Sequence, residues 1–265
     1  MFDKTNCISY IVNIISKKSK IIHFSGGYMK KIEVNAGGKS ALLWGEDSEK
    51  VLLYIHGKGG CREEGEEIAR IFCPLGMQVL SFDLPGHGMR EHEKDLFTPW
   101  HVIPELRAAA DFSKSRWKKI DLFAVSIGAY FSLLSFQNRA EYDIQFENVY
   151  FESPIVDMEY LINRMFVWAN VNEAELKEKK IIPTDFGEPL SWEYLVFVRK
   201  NPVFNWNFNT RILYGSKDNL MEIDVIKEFA DRFGCELTVM QEGEHYFHTP
   251  HQLEFRNAWC KCCHK

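Results

Sequence analysis

The chain has 265 residues, 46% of them apolar and 26% charged, the balance of an ordinary globular protein able to bury a sizeable core. Its formal net charge of -5 argues against a nucleic-acid partner, which favours a basic face, and no run of like charges is long enough to serve as an interaction tail. The seven cysteines are odd in number and mostly scattered, which fits free thiols in a reducing cytosol better than a secreted disulfide framework. The run Cys260-Lys-Cys-Cys-His264 has the residues of a metal tract, but no second ligand pair stands at finger-like spacing, so no metal site is expected.

The first apolar stretch, residues 7–16, is too short to cross a membrane as a helix and lacks a small-residue cleavage site. Neither a signal peptide nor an anchor is expected, and the localisation implied is cytoplasmic. Gly26-Gly27-Tyr28 precede Met29, and two glycine codons can spell a ribosome-binding site. Residues 1–28 are therefore read as an N-terminal extension, with a translation start at Met29 as one explanation of it. An intact peptide from residues 5–17 in the native protein would exclude that start.

From about residue 30 the pattern becomes regular. Residues 30–35 and 40–45 are strand candidates around the hairpin turn Asn35-Ala-Gly-Gly38. Residues 51–55 (VLLYI) form a continuous apolar run, as expected of a strand buried on both faces, and they lead into His56-Gly-Lys-Gly-Gly60. Residues 62–75 predict a helix with an acidic start and an apolar face at Ile68, Ile71 and Phe72. The alternation continues with a strand at 79–82, a helix at 102–117, a strand at 120–125, a helix at 127–137 and a strand at 149–152. It resumes with a strand at 211–214, a helix at 222–233, a strand at 236–240 and a final helix at 250–263. Strands alternating with helices imply crossover connections and a mostly parallel sheet covered on both faces, an α/β fold.

Residues 155–208 interrupt this alternation. They predict helices at 155–169 and 172–180, show no clear strand, and carry many aromatics, including Trp168, Trp192, Tyr194 and Trp206. A set of packing helices would account for the composition. Insertion between two sheet strands favours a helical lid, with the core made of residues 29–154 and 209–265.

The most informative segment is Asp121-Leu-Phe-Ala-Val-Ser126-Ile-Gly-Ala129, where a strand runs directly into a helix and one serine stands between small residues. A sharp turn of this kind lifts the hydroxyl above the sheet edge and aims the first backbone N–H groups of the helix at a reacting oxygen. Alone, the serine could be only a helix cap. Two later segments add partners: Leu213-Tyr-Gly-Ser-Lys-Asp218 and Glu242-Gly-Glu-His245 each follow a predicted strand. The chain order Ser126, Asp218, His245 is the order expected when each residue ends a successive strand of one sheet.

The sequence resembles the α/β-hydrolase superfamily, particularly the lidded serine hydrolases that include esterases, monoacylglycerol lipases and proline-type aminopeptidases. The resemblance rests on HGKGG (56–60), DLPGHG (83–88), AVSIGA (124–129), LYGSKD (213–218) and GEHYFH (243–248), which together span residues 51 to 248. Ala124 stands where the pattern usually has glycine, and residues 155–208 carry no subfamily signature, which leaves the substrate class open. The resemblance implies Ser126 as nucleophile, His245 as general base and Asp218 as the acid that orients it. The backbone N–H groups of Ile127 and Lys58 would hold the oxyanion, and no cofactor is needed.

Lys58 contributes its backbone while its charge lies in solvent, and His56 and His87 support tight turns. His248 is a second, poorer match for the base. Glu152 and Asp157 are rivals to Asp218, since Glu152 ends the strand after the elbow helix. The function expected is hydrolysis of a small-molecule carboxylic ester. The same machinery serves amides, peptides and thioesters, carbon–carbon hydrolysis or acyl transfer, and a non-catalytic binding module keeps the same fold.

Overall fold

The structure, a computed structural model, describes residues 20–24 and 27–263. Its centre is the strand β4 (Lys50–Ile55), whose Val51 to Ile55 are all buried. Alternate side chains of this strand enter different cores. Leu53 and Ile55 pack on one face of the sheet, and Leu52 and Tyr54 on the other. This two-sided burial is why the run is continuously apolar.

Before β4 come β1 (Lys20–Phe24), β2 (Gly27–Ala36) and β3 (Lys39–Trp44). After it come β5 (Gln78–Phe82), β6 (Lys119–Val125), β7 (Val149–Glu152), β8 (Ile181–Ile182), β9 (Leu190–Ser191), β10 (Thr210–Gly215) and β11 (Glu236–Met240). The main sheet has the order β1-β2-β3-β5-β4-β6-β7-β10-β11 among the described residues. β1, β2 and β3 are antiparallel additions at one edge, and β4, β5, β6, β7, β10 and β11 pair in parallel. β2 and β3 join through Gly37 and Gly38, whose φ values of 60° and 88° suit a tight hairpin turn that glycine adopts at little cost. The sheet therefore begins before residue 29. Met29 falls inside β2, and most of the 1–28 extension lies outside the described residues.

The helices are α1 (Gly65–Phe72), α2 (Pro99–Arg116), α3 (Ile127–Phe136), α4 (Met158–Ala169), α5 (Glu173–Lys179), α6 (Trp192–Lys200), α7 (Ile223–Phe233) and α8 (Pro250–Cys263). Buried residues of α2, α3 and α7 share the Leu53 core, while those of α1 and α8 share the Leu52 core. The helix expected over 62–75 is the α1 turn bracketed by short 3-10 turns, and further 3-10 turns cover Gly88–Leu96.

Between β7 and β10 the chain carries α4, α5 and α6 and a small antiparallel ribbon of β8 with β9. The ribbon and α6 correct the reading of 155–208 as two helices without a strand. β8 and β9 have two residues each, too few to show a period. The start of α6 carries a legible signal, since the Ser191 hydroxyl accepts from Tyr194 N–H as an N-cap. Asp157 similarly caps α4 by accepting from Tyr160 N–H at 2.9 Å, which explains that acid as a structural one.

Cys260 is buried against the α8 side of the sheet, and burial pushes its thiol pKa up. It packs as a small apolar group. His264 lies outside the described residues.

Candidate active site

Six parallel strands point the same way, so their C-terminal ends form one edge. In register, Ile55 pairs with Ala124, Val125 with Glu152, Glu152 with Leu213, and Gly215 with Met240. The loops carrying Lys58, Ser126, Asp218 and His245 all leave from this edge.

Ser126 occupies the turn between β6 and α3 with φ 52° and ψ -119°, a backbone conformation rare for a residue with a side chain. Its neighbours explain how it is held. A Cβ on Gly128 would lie 2.6 Å from the His56 carbonyl oxygen, so only glycine lets α3 approach β4 this closely. Ala124, in the position where the family pattern has glycine, is fully buried between Ile55 and Phe151 and needs no more room than its methyl group. The Ser126 N–H donates to the Glu152 carbonyl at 2.9 Å, fixing the turn to the next strand.

Asp218 and His245 come from adjacent strands. Their loops are stitched by Lys217 N–H to the Gly243 carbonyl at 2.7 Å and Glu242 N–H to the Ser216 hydroxyl at 2.8 Å. The Asp218 side chain is fully buried, and its Oδ1 accepts from Leu220 N–H at 2.8 Å and Met221 N–H at 3.1 Å. Its second oxygen, Oδ2, accepts from His245 Nδ1–H at 2.7 Å. That bond leaves His245 Nε2 as an acceptor, and the Ser126 hydroxyl donates to it at 2.7 Å. A hydroxyl bonded to an imidazole, itself bonded to a buried carboxylate, is the arrangement that activates a serine for attack on an acyl carbon.

The rival residues are elsewhere. Glu152 is buried beneath the Ser126 turn, its carboxyl pushed up to about 7 mainly by burial, and His245 bonds Asp218 instead. His248 donates from Nδ1 to the Tyr246 carbonyl at 2.9 Å and stacks on the exposed Tyr246 ring. His56 is a turn support: its Nδ1–H donates to the Gly57 carbonyl at 2.7 Å, and its Nε2 accepts from Leu84 N–H at 3.0 Å. Burial lowers the His56 pKa to about 4, so the ring stays neutral. His87 donates to the Pro85 carbonyl at 2.8 Å and packs against His56 and Phe97. Asp83 ties the DLPGHG loop down by accepting from Arg62 N–H at 2.8 Å and Met89 N–H at 3.1 Å.

Ile127 and Lys58, the expected oxyanion donors, both line the cavity that opens at Ser126. Ile127 is the first residue of α3, and Lys58 follows Gly57, whose added Cβ would lie 3.3 Å from the Ser126 Cβ. Among the described residues, neither the Ile127 nor the Lys58 amide donates a backbone hydrogen bond. The Lys58 ammonium departs from expectation. It is half-buried and paired with Glu188 of the β8–β9 turn, because that turn folds down over the 56–60 loop, a contact invisible in local sequence.

A cavity of about 570 Å³ opens at Ser126, within the size range of small-molecule sites. Leu161, Ile162, Met165 and Trp168 of α4 form one wall, and Phe97, Ile155 and Leu220 contribute others. Trp168 meets Phe186 edge to face at 5.8 Å, and both are partly exposed. A smaller cavity of about 240 Å³ lies beyond Met158, among Arg199, Glu228 and Arg232, and none of Ser126, Asp218 or His245 lines it.

The sheet order, the crossover helices and the serine turn at the shared loop edge define the α/β-hydrolase fold. Solved structures with this fold superpose over nearly the whole chain. Est1E from Butyrivibrio proteoclasticus, with ferulic acid bound, is 18% identical at a TM-score of 0.70, covering 88% of this chain and 97% of its own. Mouse alpha/beta hydrolase domain-containing protein 10 is 12% identical at 0.67, covering 93% and 98%. The Pyrococcus furiosus esterase Pf2001 is 17% identical at 0.59, covering 99% and 96%. No protein-family model and no curated protein sequence matches the chain.

No helix among the described residues is long and apolar enough to cross a membrane.

Proposed function

We propose that this protein is a serine hydrolase that cleaves a carboxylic ester through an acyl-enzyme, with residues 155–208 acting as a lid over the acyl group. The observation that carries the reading is the unbroken chain Ser126 hydroxyl to His245 to Asp218, with both hydrogen bonds at 2.7 Å and Ser126 lining a mostly apolar cavity.

In this mechanism the Ser126 Oγ attacks the ester carbonyl carbon while its proton passes to His245 Nε2. The buried Asp218 carboxylate holds the imidazole in the tautomer that can accept that proton and stabilises the imidazolium. Negative charge moves to the carbonyl oxygen, where the Ile127 and Lys58 amides donate to it; losing one such donor typically costs about 10²–10³ in rate. Collapse of the tetrahedral species breaks the bond to the alcohol oxygen, which leaves with the proton from His245. Water, deprotonated by His245, then attacks the acyl carbon and releases the acid and the free serine. The apolar walls from α4 favour an aliphatic or aryl acyl group. That two of the superposed structures are an esterase and a complex with an aromatic acid agrees with this choice. The cytoplasm is the proposed location, since the scattered cysteines suit a reducing compartment.

The test is labelling with a fluorophosphonate probe, with the adduct located by peptide mass spectrometry. The reading expects an adduct on Ser126 that is lost in Ser126→Ala, together with turnover of p-nitrophenyl esters. A folded protein with neither adduct nor turnover would return the chain to the binding-module class.

A further inference from the structure

Among the described residues, the wall of the Ser126 cavity holds one cation and one anion beside apolar and neutral polar side chains, and these are Lys58 and Glu188. They are paired with each other, and each side chain is about half exposed, at 49% and 41%. Both are fixed by their turns. Lys58 lies in the turn closed by Gly60 N–H donating to the Gly57 carbonyl at 3.2 Å. Glu188 precedes β9, and its carbonyl accepts from the Thr184 hydroxyl at 2.6 Å across the β8–β9 turn. Partial burial lowers the Lys58 pKa, the direction expected of an ammonium drawn out of water.

A half-buried charge whose partner is removed attracts the opposite charge more strongly than a paired one does. Lys58 and Glu188 line the same cavity as Ser126, so the charge of either, left alone, borders the space proposed for the acyl group. We infer that Glu188 is a specificity-determining residue: by compensating Lys58 it keeps the acyl cavity electrically neutral and makes it select uncharged acyl groups. The inference rests on the reading of this cavity as the acyl site.

The measurement is binding of two esters of the same shape, methyl 4-methylpentanoate and monomethyl succinate, by NMR titration on the Ser126→Ala protein, which cannot turn them over. The neutral ester binds more tightly. Glu188→Gln added to Ser126→Ala narrows the gap by about tenfold, because Lys58 is then free to hold the succinate carboxylate. Lys58→Met added to Ser126→Ala moves the gap the opposite way and widens it, because Glu188 is then left to repel that carboxylate. A gap that stays within twofold in either variant, shifts of the same sign in both, or no binding of either ester to Ser126→Ala overturns the inference. Labelling of wild-type Ser126 by the fluorophosphonate reports separately on the catalytic reading, so the two fail independently.

Discussion

Gly215, the last residue of β10, lies so close to Gly243 in the loop after β11 that a Cβ on Gly215 would stand 2.4 Å from the Gly243 carbonyl oxygen. This backbone contact brings the Asp218 loop and the His245 loop together, and the hydrogen bond from Lys217 N–H to the same carbonyl locks it. The geometry of two side chains is thus set by two residues that have none.

Gly215→Ala should therefore damage the site from a distance. The obstacles are backbone atoms of Gly243 and Glu244, which yield only if the His245 loop moves away. Overpacking of this kind costs about 1–3 kcal/mol in stability. We expect a lower melting temperature and at least a tenfold loss of ester turnover. A variant with wild-type turnover would show that the two loops hold their spacing without this contact.

Asp218→Asn and Glu152→Gln separate the acid that bonds His245 from the acid beneath the serine turn. Asparagine can present an N–H to Nδ1 and favour the wrong imidazole tautomer, and the equivalent loss in serine hydrolases is about 10⁴ in kcat. Glu152 has no hydrogen bond to His245, so its glutamine variant should keep turnover within about tenfold of wild type. Steady-state kinetics on both variants decides the assignment.

Glu152 also makes stability fall as pH rises. Its folded carboxyl sits at about 7, above its ordinary value of 4.5, so the folded state holds a proton that the unfolded state has released between those values. The contribution is fully present below pH 4.5 and is lost as pH climbs to about 7, at about 1.4 kcal/mol per unit of pKa difference. Asp121, raised to about 6 by burial, acts in the same direction. Glu152→Gln should flatten this part of the stability curve in chemical denaturation at pH 5 and pH 8. An unchanged slope would place the pH dependence elsewhere.

Met165 on α4 lines the cavity of the proposed acyl site. Replacing it with tryptophan should shorten the longest p-nitrophenyl ester that is turned over while leaving the acetate a substrate. An unchanged chain-length profile would mean that the acyl group does not run along α4.

Much of this protein was already legible as a string of residues. The continuous apolar runs at 51–55 and 120–125 declare strands buried on both faces, because every side chain of such a strand meets a core. The placement of Ser126 between small residues at a strand-to-helix junction declares the turn, since larger neighbours at Gly128 would collide with β4. Turns after predicted strands, taken in the order Ser, Asp, His and with the family resemblance, nominated Asp218 and His245, because successive parallel strands deliver their loops to one edge.

Tertiary structure decided what depends on distance between segments far apart in the chain. Glu152 and Asp218 both end strands and both carry carboxylates, and only the packing of the β10 and β11 loops showed which one faces His245. The same is true of Lys58. Its sequence context describes a charged residue in a glycine-rich turn, with no signal of Glu188, which is 130 residues away and folds down on the β8–β9 turn. Periodicity reports which face of an element is buried. It carries no information about which remote side chain will lie against that face, because that choice is made by loop closure and packing once the sheet has formed.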